Sequence, residues 1–228
     1  NMDVSGFDTS NCTTMEGMFY KCFEIKELDV SGFDTSNVTN MEYMFSECKK
    51  LEVIDVSNFN TSKVTNMNYL FDRCSSVLLL DVSGFDTSNC TTMEGMFCNC
   101  SSVNELDVSN FNTGKLRYMT AMFFNCSQIT SLDVSSFDTS QVWSMNWTFG
   151  RCLNLTILDL SNFDTSNVID MSFMFSECKK LKEIKGINKF KTNKVIAMEA
   201  MFQACCGLQN LDVSSFDTST AKNMKCMF

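Results

Sequence analysis

Apolar residues return along this chain at a fixed interval. Phe7, Phe33, Phe59, Phe85, Phe111, Phe137, Phe163, Phe190 and Phe216 lie 26 residues apart, except for a single step of 27 between Phe163 and Phe190. A period of this size marks one supersecondary unit that cannot bury its own apolar side, so a core arises only by stacking neighbours. The pattern predicts a repeat solenoid, one array over 1–228 of about nine rungs. Function is then expected on a long ladder surface and not in a pocket.

The stretch from Cys48 to Phe71 shows one rung. Leu51, Ile54, Val56 and Phe59 are followed by Val64, Met67 and the Leu70-Phe71 pair, and Cys74 opens the next rung. Ile54 and Val56 are two apart, which predicts a short parallel strand with alternate side chains inward. The Asx-Thr-Ser step after each Phe predicts a turn, because an Asp or Asn side chain accepts a backbone N–H two residues on. From Met67 the apolar spacing widens to three or four, which predicts one helical or 3-10 turn. Each rung is therefore expected to run strand, turn, extended Val-x-x-Met segment, helical turn and return.

Composition narrows the function. The chain has no His and no Pro, so Ser-His-Asp, Cys-His and zinc-His constellations are excluded. Its nine glycines form neither a phosphate-binding loop nor a nucleophile elbow. Carboxylates repeat once per rung, as structural residues do. No enzyme activity, cofactor or metal is expected. No run of apolar residues approaches the 18 or so needed to span a membrane.

Of the thirteen cysteines, Cys22, Cys48, Cys74, Cys100, Cys126, Cys152, Cys178 and Cys205 share one rung position. A free cysteine is a small buried hydrophobe, and parallel Cβ vectors suit the torsion of a disulfide poorly. A reduced column is the preferred reading, with a bridged column the alternative. The net charge of −9 comes largely from Asp columns, one of them Asp3, Asp29, Asp55, Asp81, Asp107, Asp133, Asp159 and Asp212. Their carboxylates are expected to be solvated and bonded to nearby Ser or loop N–H groups; a cation-binding acidic face is the alternative. So acidic a surface disfavours nucleic acid as a partner.

The segments from Leu28 to Cys48 and from Leu158 to Cys178 carry the string F-D-T-S-x-V-x-x-M-x-x-M-F-x-x-C. This string resembles the bacterial surface protein 26-residue repeat, the BspA-like leucine-rich-repeat group. The resemblance covers the whole chain. It implies a leucine-rich-repeat-like solenoid, a secreted or cell-surface location, a link to adhesion and no catalytic residues. Where ordinary leucine-rich repeats place Asn or Cys, this chain places Phe33 and its equivalents. Rung eight departs further, with Lys185-Gly186-Ile187 in place of Asp-Val, and its extra residue predicts a bulge.

Binding specificity is expected where rungs differ. Tyr118, Phe124, Trp143 and Trp147 occupy positions that are polar or small in most rungs, and both tryptophans of the chain fall in one rung. Clustered exposed aromatics mark recognition surfaces; the competing reading is that they cover the core. Two function classes follow. One is a surface-exposed scaffold for adhesion or ligand binding, with a host or neighbouring-cell surface protein or glycan as partner. The other is a structural spacer or fibre segment with end-to-end self-association and no ligand. Ice binding through a Thr column fails in the second half, where Thr13, Thr39, Thr65 and Thr91 give way to Arg117, Trp143, Ile169 and Ile196. Both ends stop inside the repeat pattern without capping rungs, so the chain is expected to be part of a longer protein.

Overall fold

The computed structural model describes residues 2–228. Every position of the repeating apolar pattern is buried in the interior rung: Leu51, Ile54, Val56, Phe59, Val64, Met67, Leu70, Phe71 and Cys74. Their equivalents in neighbouring rungs join them in one continuous core. The chain is thus a solenoid whose core runs along its axis, as the period predicts.

Two parallel ladders link the rungs. On one edge β1 (Glu27–Leu28) pairs with β2 (Val53–Ile54), and β3 (Ile157–Asp159) pairs with β4 (Glu183–Lys185). Here the expected strands exist, but only two or three residues long. The longer ladder lies at the Val-x-x-Met segment, where single parallel bridges join Thr14, Asn40, Asn66 and Thr92, then Tyr118, Ser144, Asp170, Ala197 and Asn223.

The segment after each Met corrects the expected helical turn. Met44, Ser46 and Cys48 donate to the carbonyls of Met41, Tyr43 and Phe45 at 3.2, 3.0 and 3.2 Å, which makes a run of overlapping tight turns. Tyr43 and Glu47 lie in the left-handed region, at φ 56° and 61°, and a helix cannot continue through such residues. The N–H groups of Met41, Tyr43, Phe45 and Glu47 instead reach the carbonyls of Asn66, Asn68, Leu70 and Asp72 in the next rung, at 3.0, 2.9, 3.0 and 2.7 Å. Apolar spacing alone cannot separate this from a helix, because both put every third or fourth residue inward. Among the described residues the one 3-10 helix, η1 (Ile187–Lys189), follows the extra residue of rung eight. There Gly186 has φ 81°, and a Cβ would meet Ser161 Cα at 2.5 Å. Only glycine lets the longer rung lie flush on its neighbour.

Two Phe columns fill the core. Interior members of the first, from Phe33 to Phe190, are buried, while Phe7 at the edge is 52% exposed. The second column stacks ring on ring: Phe45 lies 5.6 Å from Phe71, and Phe71 lies 6.1 Å from Phe97, within 8° of parallel. The Cys column beside it is reduced. Cys74 Sγ donates to the Phe45 carbonyl at 3.2 Å, and Cys100 repeats this to Phe71 at 3.1 Å. Burial pushes the Cys48 and Cys152 thiols up to about 12. A disulfide would remove this S–H bond, although each carbonyl also accepts a backbone N–H, from Cys48 at Phe45 and from Cys74 at Phe71.

Candidate recognition surface

The Asp columns cap their own turns. Asp55 Oδ1 accepts the N–H of Ser57 at 2.9 Å, and Asp81 Oδ1 accepts both the N–H and the hydroxyl of Ser83 at 3.0 and 2.6 Å. The second column does the same, Asp86 accepting from Ser88 at 2.9 Å. These bonds to Ser hold the carboxyls of Asp55, Asp81 and Asp86 below the ordinary value of 3.8. Among the described residues no three acidic or thiol groups converge as a metal site. The carboxylates act as turn caps, and their recurrence follows from the recurrence of the turn.

The four aromatic residues singled out in the sequence fall into two pairs with different surroundings. Tyr118 and Trp143 meet edge to face at 6.1 Å, on the bridge ladder, and are 39% and 46% exposed. The Arg117 guanidinium sits 5.8 Å from the centre of the Trp143 ring. Phe124 and Trp147 form the second pair, 4.9 Å apart. Trp147 also stacks on Phe173 at 4.2 Å, and its ring covers Gly150, where an added Cβ would come within 2.6 Å of it. This pair is half-buried and behaves as a lid over small residues. Trp147 and Phe173 have φ 58° and 59°, an unfavourable backbone for bulky side chains that ring stacking offsets.

Two residues that the sequence reading did not place in the site extend the exposed pair. Ile169 and Ile196 follow Trp143 in the same column and are 44% and 42% exposed. Backbone bonds of 2.8 and 2.9 Å join Trp143 to Ile169 and Ile169 to Ile196. Trp143, Ile169 and Ile196, with Tyr118 beside them, form an apolar ridge across adjacent rungs. Its signal was legible as the loss of Thr from that column, which in isolation reads only as a broken threonine ladder. A second apolar patch, Val53, Leu78 and Leu79, lies exposed along the strand ladder beside Asp55 and Asp81.

The family model described as "Mycoplasma protein of unknown function, DUF285" matches residues 1–104, 70–157 and 143–228. Solved structures of bacterial leucine-rich repeat proteins are similar. A protein from Eubacterium ventriosum shares 18% identity at a TM-score of 0.49, over 84% of this chain and 56% of that one. The T. pallidum leucine-rich repeat protein shares 16% at 0.42, over 86% and 70%. A leucine rich cell surface protein from Faecalibacterium prausnitzii shares 14% at 0.25, over 92% and 75%. The chain thus spans little more than half the length of the Eubacterium protein. No curated protein matches the chain significantly.

Proposed function

The chain belongs to the DUF285 family, and we propose that this repeat scaffold works at a cell surface, where it binds a protein or glycan of a host or neighbouring cell. The observation that carries the reading is the ridge of Tyr118, Trp143, Ile169 and Ile196, whose exposed apolar side chains sit on adjacent bridged rungs. A solenoid core uses its apolar residues inward, and the first four rungs place Thr13, Thr39, Thr65 and Thr91 in the column of Trp143, Ile169 and Ile196, where Thr holds the same ladder at no cost in exposed apolar area. Rigid aromatic side chains with neighbouring aliphatic ones supply the anchors typical of binding hot spots. Arg117 beside Trp143 adds a charged group at the edge of the ridge. The half-buried Phe124 and Trp147 support the ridge rung from the side.

A cell-surface location is supported by the description of the Faecalibacterium relative as a cell surface protein. Among the described residues no helix is long and apolar enough to cross a membrane. The test is a binding screen of the intact protein against surface glycans and extracellular matrix proteins. Saturable binding that is lost in a Trp143→Thr variant supports the reading; saturable binding that this variant leaves unchanged opposes it.

A further inference from the structure

One rung reverses the charge of the whole chain. Residues 178–204 carry seven lysines against two glutamates, whereas the rest of the chain carries eleven basic and 25 acidic residues. Lys179, Lys180, Lys182, Lys185, Lys189, Lys191 and Lys194 are all exposed. Lys191 pairs with Asp164 at 3.6 Å, and Lys194 donates to Asn167 Oδ1 at 2.8 Å. The other five have no ion pair among the described residues.

The string F-S-E-C-K-K-L occurs twice, at residues 45–51 and 175–181, and its lysines are treated differently. In the first copy Lys49 pairs with Glu47 at 3.4 Å and Lys50 with Glu24 at 2.6 Å. In the second copy Glu177 turns to Arg151 at 3.9 Å. The position equivalent to Glu24 is Asn154. The same heptapeptide is thus neutralised in one rung and left cationic in the other.

Space opens beside these lysines. The next rung places Gly207 at a position where earlier rungs have Glu24, Lys50, Ser76, Ser102, Gln128, Asn154 and Lys180. A Cβ on Gly207 would meet the Leu181 carbonyl at 2.6 Å, so the rung lies close and no side chain covers the lysines. An open groove of about 590 Å³ results, lined by Lys179, Lys180, Lys182, Thr156, Gln209 and Asn210. A second groove of about 680 Å³ continues from Lys182 past Lys185 and Asn188, with Glu183 and Asp212 on its walls.

We propose that Lys179, Lys180, Lys182 and Lys185 bind a linear polyanionic glycan, sulfated or carboxylated, laid along rung eight. The cationic band is one rung wide, about 5 Å, and Asp159 and Asp212 occupy the adjacent rungs of the strand edge. A bilayer or a nucleic acid duplex would place phosphates against those carboxylates; a single extended chain does not. Single-stranded nucleic acid is recognised by stacking on exposed aromatics, and the aromatic residues of this rung, Phe190 and Phe202, are buried. Thr156, Gln209, Asn210 and Asn188 bring hydroxyl and amide groups to the groove walls, which suit sugar hydroxyls. This site is separate from the aromatic ridge and stands or falls independently of it.

The test is titration of the intact protein with a heparin fragment and with hyaluronan, at several salt concentrations. Binding to at least one glycan is expected, weakening as salt rises. A Lys179→Gln/Lys180→Gln/Lys182→Gln/Lys185→Gln variant is expected to bind on the order of tenfold to a hundredfold more weakly with a shallower salt dependence. A Lys180→Gln/Lys182→Gln pair should show a smaller loss, and serves if the quadruple change disturbs folding. The Lys49→Gln/Lys50→Gln variant, altered in the neutralised copy of the heptapeptide, should bind as the parent does. The proposal is overturned by no binding to either glycan, by equal losses in the two copies, or by equal or tighter binding to single-stranded DNA or to anionic phospholipid vesicles.

Discussion

Thr87 Oγ1 donates to the backbone carbonyl of Asn112 at 3.0 Å and accepts the N–H of that same residue at 2.7 Å. One buried hydroxyl therefore satisfies both backbone groups of a residue in the next rung. The unit recurs: Thr35 does this for Asn60, Thr139 for Asp164 and Thr165 for Lys191. The partner varies among Asn, Asp and Lys because only its backbone is used, whereas the Thr does not vary.

Thr87→Val preserves shape but strands an N–H and a carbonyl, and each buried orphan costs about 1–3 kcal/mol. Thr87→Ser keeps both bonds and loses only a methyl, about 0.8 kcal/mol. Chemical denaturation of the two variants should rank Ser well above Val. Equal losses would show that the column acts by packing alone.

Phe85 is buried in the interior of the first Phe column. Its truncation to Ala should cost about 3–5 kcal/mol, read as a lower unfolding midpoint. A folded variant of unchanged stability would contradict the stacked-rung core.

The thiols provide a third check. Cys206 and Cys226 are exposed, whereas Cys48, Cys74, Cys100, Cys126, Cys152 and Cys178 are buried and reduced. Burial pushes the thiols of Cys48, Cys74 and Cys126 above their ordinary value of 9.0, and the thiolate is the reactive form. Without reductant, a thiol reagent should label Cys206 and Cys226 first and the buried column only on unfolding. A denatured protein with most thiols already oxidised would make the column a set of disulfides.

Acid should loosen the array. Hydrogen bonds from Ser lower the carboxyl pKa values of Asp29, Asp55, Asp107, Asp133 and Asp212 below 3.8. A lowered folded value means that the contribution is complete above the unfolded value and is lost as pH falls through the folded one. Asp72 and Glu94 work the other way: burial raises them above 3.8 and 4.5, so their protonation favours the fold. The lowered group is the larger, so the melting temperature should fall as pH is taken from about 4 to about 2. A melting temperature constant across that range would mean that the turn caps contribute nothing to stability.

The period, the inward residues and the turn after each Phe were legible in the sequence because each rests on a local rule repeated in every rung. The Met-to-Cys segment was not. Left-handed residues such as Tyr43, Glu47, Arg73 and Asn125 carry no common side-chain signature, and their conformation is fixed by carbonyls of the adjacent rung. The division of the aromatic site was hidden for a related reason. Trp143 and Trp147 are four residues apart in one rung. What separates them is that Trp147 can settle over Gly150 and against Phe173, a contact across rungs. The lysine band was visible as composition, but its significance depends on which neighbour pairs with each lysine.

The most direct measurement is the affinity for a surface partner of the Tyr118→Asn/Trp143→Thr variant beside that of Trp147→Tyr. Asn and Thr occupy those positions in other rungs, as Tyr43 and Tyr69 occupy that of Trp147, so all three changes suit the fold. With two exposed anchors worth about 2 kcal/mol each, the first variant should bind on the order of a thousandfold more weakly at unchanged stability. Trp147→Tyr should lower stability and leave affinity near that of the parent. Full binding by the Tyr118→Asn/Trp143→Thr variant would contradict the ridge as the recognition surface.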